Sequence, residues 1–88
     1  MSATILPALK VKVLLFASYA DNLGFDTVEL ALETPARISD VLERLRSFPG
    51  GDRLPPKPLC ALNLCQARAD ALLTDGDELA LLPPLSGG

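Results

Sequence analysis

The residues of this chain best suited to chemistry are Gly87 and Gly88, with which the sequence ends. Glycine has no Cβ, so a Gly-Gly segment fits a slot that admits only backbone and adopts dihedral angles barred to other residues. We expect the α-carboxylate of Gly88 to be free, and therefore to be a group that another enzyme can activate. The alternative is an ordinary frayed end, because chain termini are commonly disordered.

The residues before these glycines predict a tail that delivers them. Pro83 and Pro84 favour a stiff, extended exit from the last strand. Leu85 offers one apolar anchor, and Ser86 adds little bulk before the glycines. Fully extended, residues 83–88 span about 20 Å. A tail of that length reaches into another protein's active site while the domain docks outside it.

The rest of the chain carries little catalytic equipment. The sequence has no histidine, which is the commonest general base at neutral pH. Cys60 and Cys65 are spaced neither as a redox pair nor, without histidine, as a zinc site. Pro49-Gly50-Gly51 lacks the following Lys-Ser/Thr of a phosphate-binding loop. We therefore expect no metal site and no cofactor bound by this chain, which is predicted to be acted on by other proteins.

Composition predicts one small globular domain. The 88 residues are 49% hydrophobic and 22% charged. The net charge is −3 and the eight basic residues are scattered, which argues against nucleic-acid binding. No apolar run is long enough to span a membrane. Residues 1–9 lack the basic start of a secretory signal, so we interpret them as an N-terminal extension and expect a cytoplasmic protein.

Hydrophobic periodicity predicts strands and one main helix. Strands are predicted at 10–16, 25–32, 59–64 and 78–82, with a tight hairpin and a short edge strand following Asn63. Residues 17–24 are predicted to be a connection. The helix is predicted by four apolar residues at helical spacing: Ile38, Val41, Leu42 and Leu45. We expect it to start at Thr34-Pro35 and to end at 49–51.

This order of elements predicts an α+β fold. One crossover helix covers one face of a small mixed sheet, and the last strand lies parallel to the first. The arrangement is the β-grasp, or ubiquitin-like, fold, which we assign to residues 10–88 with a tail at 83–88.

Alternation along the first and last strands predicts an apolar patch on the other face of the sheet. Only one face can meet the single helix, and Lys12 and Glu78 must lie on the outer one. Four apolar residues share that outer face at the base of the tail: Leu14, Phe16, Ala80 and Leu82. Such a patch often marks a site for a partner protein, although scattered exposed apolar residues are also ordinary.

Four segments resemble the MoaD/ThiS family of sulfur carriers, and within it the small subunits of molybdopterin synthase. They are residues 12–17, 61–63, 74–78 and 82–88. The final Leu82-Pro83-Pro84-Leu85-Ser86-Gly87-Gly88 is the most specific of them. The Asp75-Gly76-Asp77 turn is shared with other β-grasp sulfur carriers. The resemblance covers about residues 10 to 88.

The resemblance implies a role as a sulfur carrier. A MoeB-like enzyme would use ATP and magnesium to adenylate Gly88, and sulfur would then replace AMP to give a thiocarboxylate. The tail would enter a MoaE-like large subunit, within a heterotetramer, and donate sulfur to cyclic pyranopterin monophosphate to form the molybdopterin dithiolene. The chain would be a non-catalytic subunit of the sulfurtransferase complex.

Two alternatives stay open. The same carrier chemistry could serve thiazole synthesis, as in ThiS, or tRNA thiolation. A ubiquitin-like interaction module whose Gly-Gly end is never activated would have the same fold.

Overall fold

One sheet of five strands organises residues 8–83, the part of the chain that the computed structural model describes. The elements in chain order are β1 (Ala8–Leu15), α1 (Ser18–Leu23), β2 (Thr27–Glu33), α2 (Ile38–Arg46), β3 (Leu59–Leu62), β4 (Cys65–Ala67) and β5 (Glu78–Leu82), with a 3₁₀ turn over Gly51–Arg53. No helix within 8–83 combines the length and the apolar character needed to cross a membrane.

The sheet has the strand order β2-β1-β5-β3-β4. The first and last strands, β1 and β5, are parallel neighbours at its centre. All other neighbours are antiparallel. The chain therefore forms a hairpin, crosses over through α2, and returns beside its first strand, which confirms the predicted β-grasp fold.

The core lies between α2 and one face of the sheet. The predicted helical stripe of Ile38, Val41, Leu42 and Leu45 is buried. Alternate residues of β1 and β5 meet this stripe, and Val11, Val13, Leu79 and Leu81 are all fully buried. Burial of apolar surface on this scale is the main stabilising term in so small a domain.

Several local predictions are wrong. The first strand spans Ala8–Leu15 rather than 10–16, so Phe16 lies just outside it, and the second spans Thr27–Glu33 rather than 25–32. The predicted connection at 17–24 contains the six-residue helix α1, Ser18–Leu23, because Tyr19 and Leu23 at i, i+4 bury one side of it. The helix α2 begins at Ile38, not after Thr34-Pro35; Arg37 is its N-cap, and Asp40 Oδ2 accepts a hydrogen bond from the Arg37 N–H. The strand predicted at 59–64 ends at Leu62, because the next two residues form the hairpin turn.

The turn before β5 follows the sequence prediction. Gly76 has a φ of 88°, a left-handed conformation that glycine adopts without steric cost. Its N–H donates to the Lys10 carbonyl at 2.8 Å. This turn delivers β5 into the slot beside β1.

Candidate functional site

An apolar surface covers the side of the sheet that faces away from α2. Along β1 and β5 the residues that alternate with the core residues are half-buried or exposed. Leu59 of this surface is 40% exposed, and Phe16, which follows directly after β1, is 45% exposed. We call the surface the outer patch and define it by six residues: Leu14, Phe16, Leu59, Ala61, Ala80 and Leu82.

Strand register brings the outer patch together. Ala80 of β5 lies between Leu14 of β1 and Ala61 of β3. Leu82, two residues further along β5, lies opposite Leu59. Because neighbouring strands are about 4.8 Å apart, these side chains form a continuous surface across three strands.

A row of charges borders the outer patch at the end of the sheet away from the predicted tail. Lys12 of β1 lies opposite Glu78 of β5 on one side and Glu29 of β2 on the other. An apolar centre with a polar border is the usual composition of a surface that binds another protein.

The outer patch surrounds the point where the chain leaves the sheet. β5 ends at Leu82 and is followed by the half-buried Pro83. A shallow groove of about 450 Å³ lies between the end of β1, α1 and the start of β2, and its lining includes Leu14, Phe16 and Asp26. The other predicted tail residues, Pro84, Leu85, Ser86, Gly87 and Gly88, lie outside the described residues.

Of the four residues predicted for a partner surface, Leu14, Ala80 and Leu82 share one face of the sheet, and Phe16 follows directly after the end of β1. The structure adds Leu59 and Ala61 of β3 to this face. The sequence showed that β3 is a strand but not which strand it pairs with. Pairing between residues 59 and 82 depends on the whole intervening chain. Alternation within β3 was the available signal, and it is short because the strand has only four residues.

A polar cluster sets the register between β3 and β5. Asp77 Oδ1 accepts hydrogen bonds from Asn63 Nδ2 and Thr74 Oγ1, both at 2.9 Å, and its Oδ2 accepts one from the Thr74 N–H at 2.8 Å. Asn63 Oδ1 in turn accepts from the Glu78 N–H at 3.0 Å. The cluster therefore fixes the start of β5 against the end of β3, and so determines which residues of the outer patch lie side by side.

The cluster also changes the acidity of Asp77. Burial alone would raise the pKa of this carboxyl. Hydrogen bonds from Thr74 and Asn63 favour its ionised form and outweigh burial, so the pKa of Asp77 lies below its ordinary value. Sequence reasoning recognised this segment as a turn but not as a hydrogen-bonded cluster.

The described residues offer few groups for catalysis. Within 8–83, no cluster of three or more histidine, cysteine, aspartate or glutamate side chains has the geometry to hold a metal ion. Cys60 is buried in the core, and burial raises the pKa of its thiol to about 11. Cys65 is exposed at the sheet edge. Both cysteines are free thiols, and neither lies in the outer patch.

Comparison with protein families gives one family match. The model of the ThiS family matches residues 13–88, which is most of the chain. The sequence is also similar to the molybdopterin synthase sulfur carrier subunit of Escherichia coli (strain K12). The two are 36% identical over 85 residues, a span that covers 89% of this chain and 99% of the relative.

Solved structures share the fold. SAMP1, small archaeal modifier protein 1, from Haloferax volcanii superposes with a TM-score of 0.79 at 30% identity, over 90% of this chain and 99% of that one. A complex of subunits 1 and 2 of molybdopterin-converting factor from Helicobacter pylori contains a chain with a TM-score of 0.66 at 22% identity, over 91% of this chain and all of that one.

Proposed function

The chain belongs to the ThiS family, and from this membership we propose that it is the sulfur carrier subunit of a molybdopterin synthase. Gly88 carries the sulfur as a C-terminal thiocarboxylate and donates it to cyclic pyranopterin monophosphate. Two such transfers build the dithiolene of molybdopterin.

The observation that carries this proposal is the position of the outer patch at the end of β5. A partner that covers Leu14, Ala80 and Leu82 is held beside the point where the chain passes Pro83. Residues 84–88 then have the length, about 3.3–3.6 Å per residue when extended, to enter that partner. A partner that docks on β5 is therefore held next to the point where the predicted tail begins.

Each chemical step has a physical reason. An ionised carboxylate is a poor electrophile, so the α-carboxylate of Gly88 must first be joined to AMP, with pyrophosphate leaving from ATP. Hydrosulfide from the sulfur donor then attacks the acyl carbon and AMP leaves, which gives a thiocarboxylate whose sulfur is a soft nucleophile like that of a thiolate. Attachment to the protein positions this sulfur against its acceptor and replaces a bimolecular encounter.

Two partners follow from these steps. A MoeB-like enzyme supplies the ATP and magnesium site for adenylation, and a MoaE-like large subunit supplies the acceptor site, within a heterotetramer. The complex of subunits 1 and 2 of molybdopterin-converting factor from Helicobacter pylori is a precedent for the second partnership in a protein of the same fold. We propose that both partners cover the outer patch, because both must reach the same tail.

Mass spectrometry of the intact chain tests the proposal directly. The chain is incubated with a MoeB-like enzyme, ATP and a sulfur donor. We expect the mass increase that accompanies replacement of one oxygen by sulfur, located on Gly88 by fragmentation. The matched control is the chain with one alanine added after Gly88, which moves the reacting carboxyl and abolishes the increase. An unchanged mass, or an equal increase in the control, would contradict the proposal.

A second candidate function is attachment to other proteins. The similarity to SAMP1, whose name describes a modifier protein, favours it. In that case the activated Gly88 carboxyl forms an amide with a lysine amine, and AMP or sulfide leaves. The two functions are distinguished by mixing the chain that carries the Gly88 thiocarboxylate with a MoaE-like subunit and cyclic pyranopterin monophosphate. Formation of molybdopterin supports the first function, and a covalent adduct without molybdopterin supports the second.

A further inference from the structure

A second surface of the molecule lies at the opposite edge of the sheet from β4. In the part of the chain that the structure describes, residues 8–83, the strand β2 has a neighbour, β1, on one side only. A groove of about 850 Å³ runs between this edge and α2. Four helix residues that line it, Asp40, Glu43, Arg44 and Ser47, have the i, i+3, i+4, i+7 spacing of a single helix face. Nothing in the proposed sulfur transfer uses this groove.

The hydrogen-bonding pattern shows which backbone groups of β2 point away from β1, towards the open edge of the sheet. The Leu15 N–H donates to the Asp26 carbonyl at 2.8 Å. Bonded and non-bonded pairs alternate along an antiparallel ladder, so Val28, Leu30 and Leu32 bond to β1. The alternating residues direct their N–H and C=O groups to the open edge; they are Thr27, Glu29, Ala31 and Glu33.

The β1 partners of these residues confirm this alternation. Lys12 lies opposite Glu29, and its N–H donates to the Asp77 carbonyl at 2.9 Å, on the side of β1 away from β2. The carbonyl of Lys10, opposite Ala31, accepts from the Gly76 N–H on the same side. Within residues 8–83, the outward groups of Glu29 and Ala31 therefore have no strand beside them.

The edge of β2 lacks most of the features that protect an open strand, although it carries the charged residues Glu29 and Glu33. Native proteins blunt such edges with charged side chains, above all lysine, and with proline, bulges or very short strands. β2 has seven residues, contains neither lysine nor proline, and pairs with β1 in continuous register. A long, regular edge beside a groove is the arrangement to which an extended peptide adds as a further strand.

Charge identifies the peptide. Among the described residues, the groove lining contains the carboxylates of Glu33, Asp40 and Glu43 and one cation, Arg44. Asp40 is engaged with the Arg37 N–H, whereas Glu33 and Glu43 are exposed. For a second copy of β2, the antiparallel register centred on Ala31 is disfavoured, because it would set Glu29 of one copy opposite Glu33 of the other.

We propose that the groove between β2 and α2 binds an extended basic peptide segment of a partner protein, which adds to the edge of β2. The groove includes Ala8 and Glu33 at the far end of the β1–β2 pair from Leu14. Occupation of the groove therefore leaves the outer patch free, and the chain can bind this partner and deliver its tail at the same time.

Amide hydrogen exchange of the full chain, followed by NMR, tests the mode of binding. The probe is a seven-residue peptide of alternating lysine and valine, blocked at both ends, at millimolar concentration. We expect slower exchange at the N–H groups of Glu29, Ala31 and Glu33, and no change at Leu30 and Leu32. The same peptide with glutamate in place of lysine serves as the charge control and is expected not to bind.

Two variants test the contacts. Ala31→Pro removes one outward N–H and no bond to β1, and is expected to weaken peptide binding by about tenfold or more; Ala31→Val keeps the N–H and is the control. Glu43→Lys is expected to weaken it about tenfold, and Asp52→Lys is the control with the same change in net charge. Thiocarboxylate formation on Gly88 is expected to be unchanged in all four variants, so failure here is distinct from failure of the proposed function.

Several results would overturn the proposal. Equal binding of the lysine and glutamate peptides, or unaltered affinity in both Ala31→Pro and Glu43→Lys, would do so. Protection of the outward amides in the free chain would also overturn it. Protection that does not depend on protein concentration would mean that a segment of this chain fills the edge. Protection that increases with protein concentration would mean that a second copy fills it. If Ala31→Pro does not fold, the exchange pattern and Glu43→Lys still decide.

Discussion

Asn63 and Asp77 are joined by a hydrogen bond of 2.9 Å from the side-chain amide of Asn63 to Oδ1 of Asp77. The bond links the turn between β3 and β4 to the turn before β5. Asn63 also donates its backbone N–H to the Glu78 carbonyl at 2.8 Å. The two turns are thus held together at the end of the sheet away from the tail, and the strands leave this point in the register that builds the outer patch.

The low pKa of Asp77 predicts a loss of stability in acid. Its folded pKa lies below the unfolded value of about 3.9, so the ionised carboxylate stabilises the fold above that pH, and the contribution disappears as the pH falls through the folded pKa. We expect Asp77→Asn to lower the free energy of unfolding at neutral pH, with a difference from the native chain that shrinks below about pH 4. Urea unfolding at a series of pH values measures it. The exposed Asp52→Asn is the control, and a difference that stays constant with pH would contradict the prediction.

Substitution of Phe16 tests whether the outer patch binds the two partner proteins. The Phe16 side chain is 45% exposed, so Phe16→Asp is expected to leave the fold intact. Placing a charge in an apolar interface should weaken binding to the MoaE-like and MoeB-like partners by at least about tenfold. Calorimetry with each partner measures this. Leu72→Asp, at a leucine 56% exposed outside the outer patch, is the matched control. Loss of binding to one partner only would show that the two do not share the surface.

The turn between β3 and β4 predicts a stabilising substitution. Asn63 and Leu64 both have positive φ, at 50° and 73°, as the central residues of a type I′ turn require. Leucine pays a steric penalty there, and the Leu64 side chain is 92% exposed and so contributes little packing. We expect Leu64→Gly to raise the free energy of unfolding by up to about 1 kcal/mol. Thermal and urea unfolding measure it. Leu64→Ala, which keeps a Cβ, should not give this gain, and an equal gain would exclude the backbone explanation.

We expect the thiols of Cys60 and Cys65 to differ in their reactivity towards alkylation. Burial raises the pKa of the Cys60 thiol to about 11, whereas Cys65 is exposed. Because the thiolate is the reactive form, iodoacetamide should modify Cys65 in the folded chain and Cys60 only after unfolding. Peptide mass spectrometry locates the label. In Cys65→Ser the folded chain should take up no label, and rapid labelling of Cys60 there would contradict its burial.

Much of the fold follows from patterns that are local in the sequence. Alternation along β1 and β5 predicts which residues face α2, because successive side chains of a strand point to opposite faces whatever the strand's neighbours are. The stripe from Ile38 to Leu45 predicts α2 in the same way. The bounds of β5 and the positive φ of Gly76 also agree with prediction.

The local patterns fail where an element is short or where a distant group decides. α1 has six residues, too few for a periodic signal. The start of α2 depends on Arg37, whose carbonyl and N–H are engaged by Asp40, and whose guanidinium donates to the Asp70 carbonyl from a distant part of the chain. A proline at the expected first position could not reveal that.

The sequence by itself determined which residues of β1 and β5 face α2 and which face away from it, since this rests on the two-residue repeat of a strand. The chemistry proposed for Gly88 came from the resemblance of the sequence to the ThiS family, not from residue type or periodicity. Only the tertiary structure decided that Leu59 and Ala61 complete the patch and that β2 presents an open edge beside an acidic groove. Both depend on which strands become neighbours and in what register. That choice is made by contacts between residues far apart in the chain, such as Asn63 with Asp77, and no local pattern contains it.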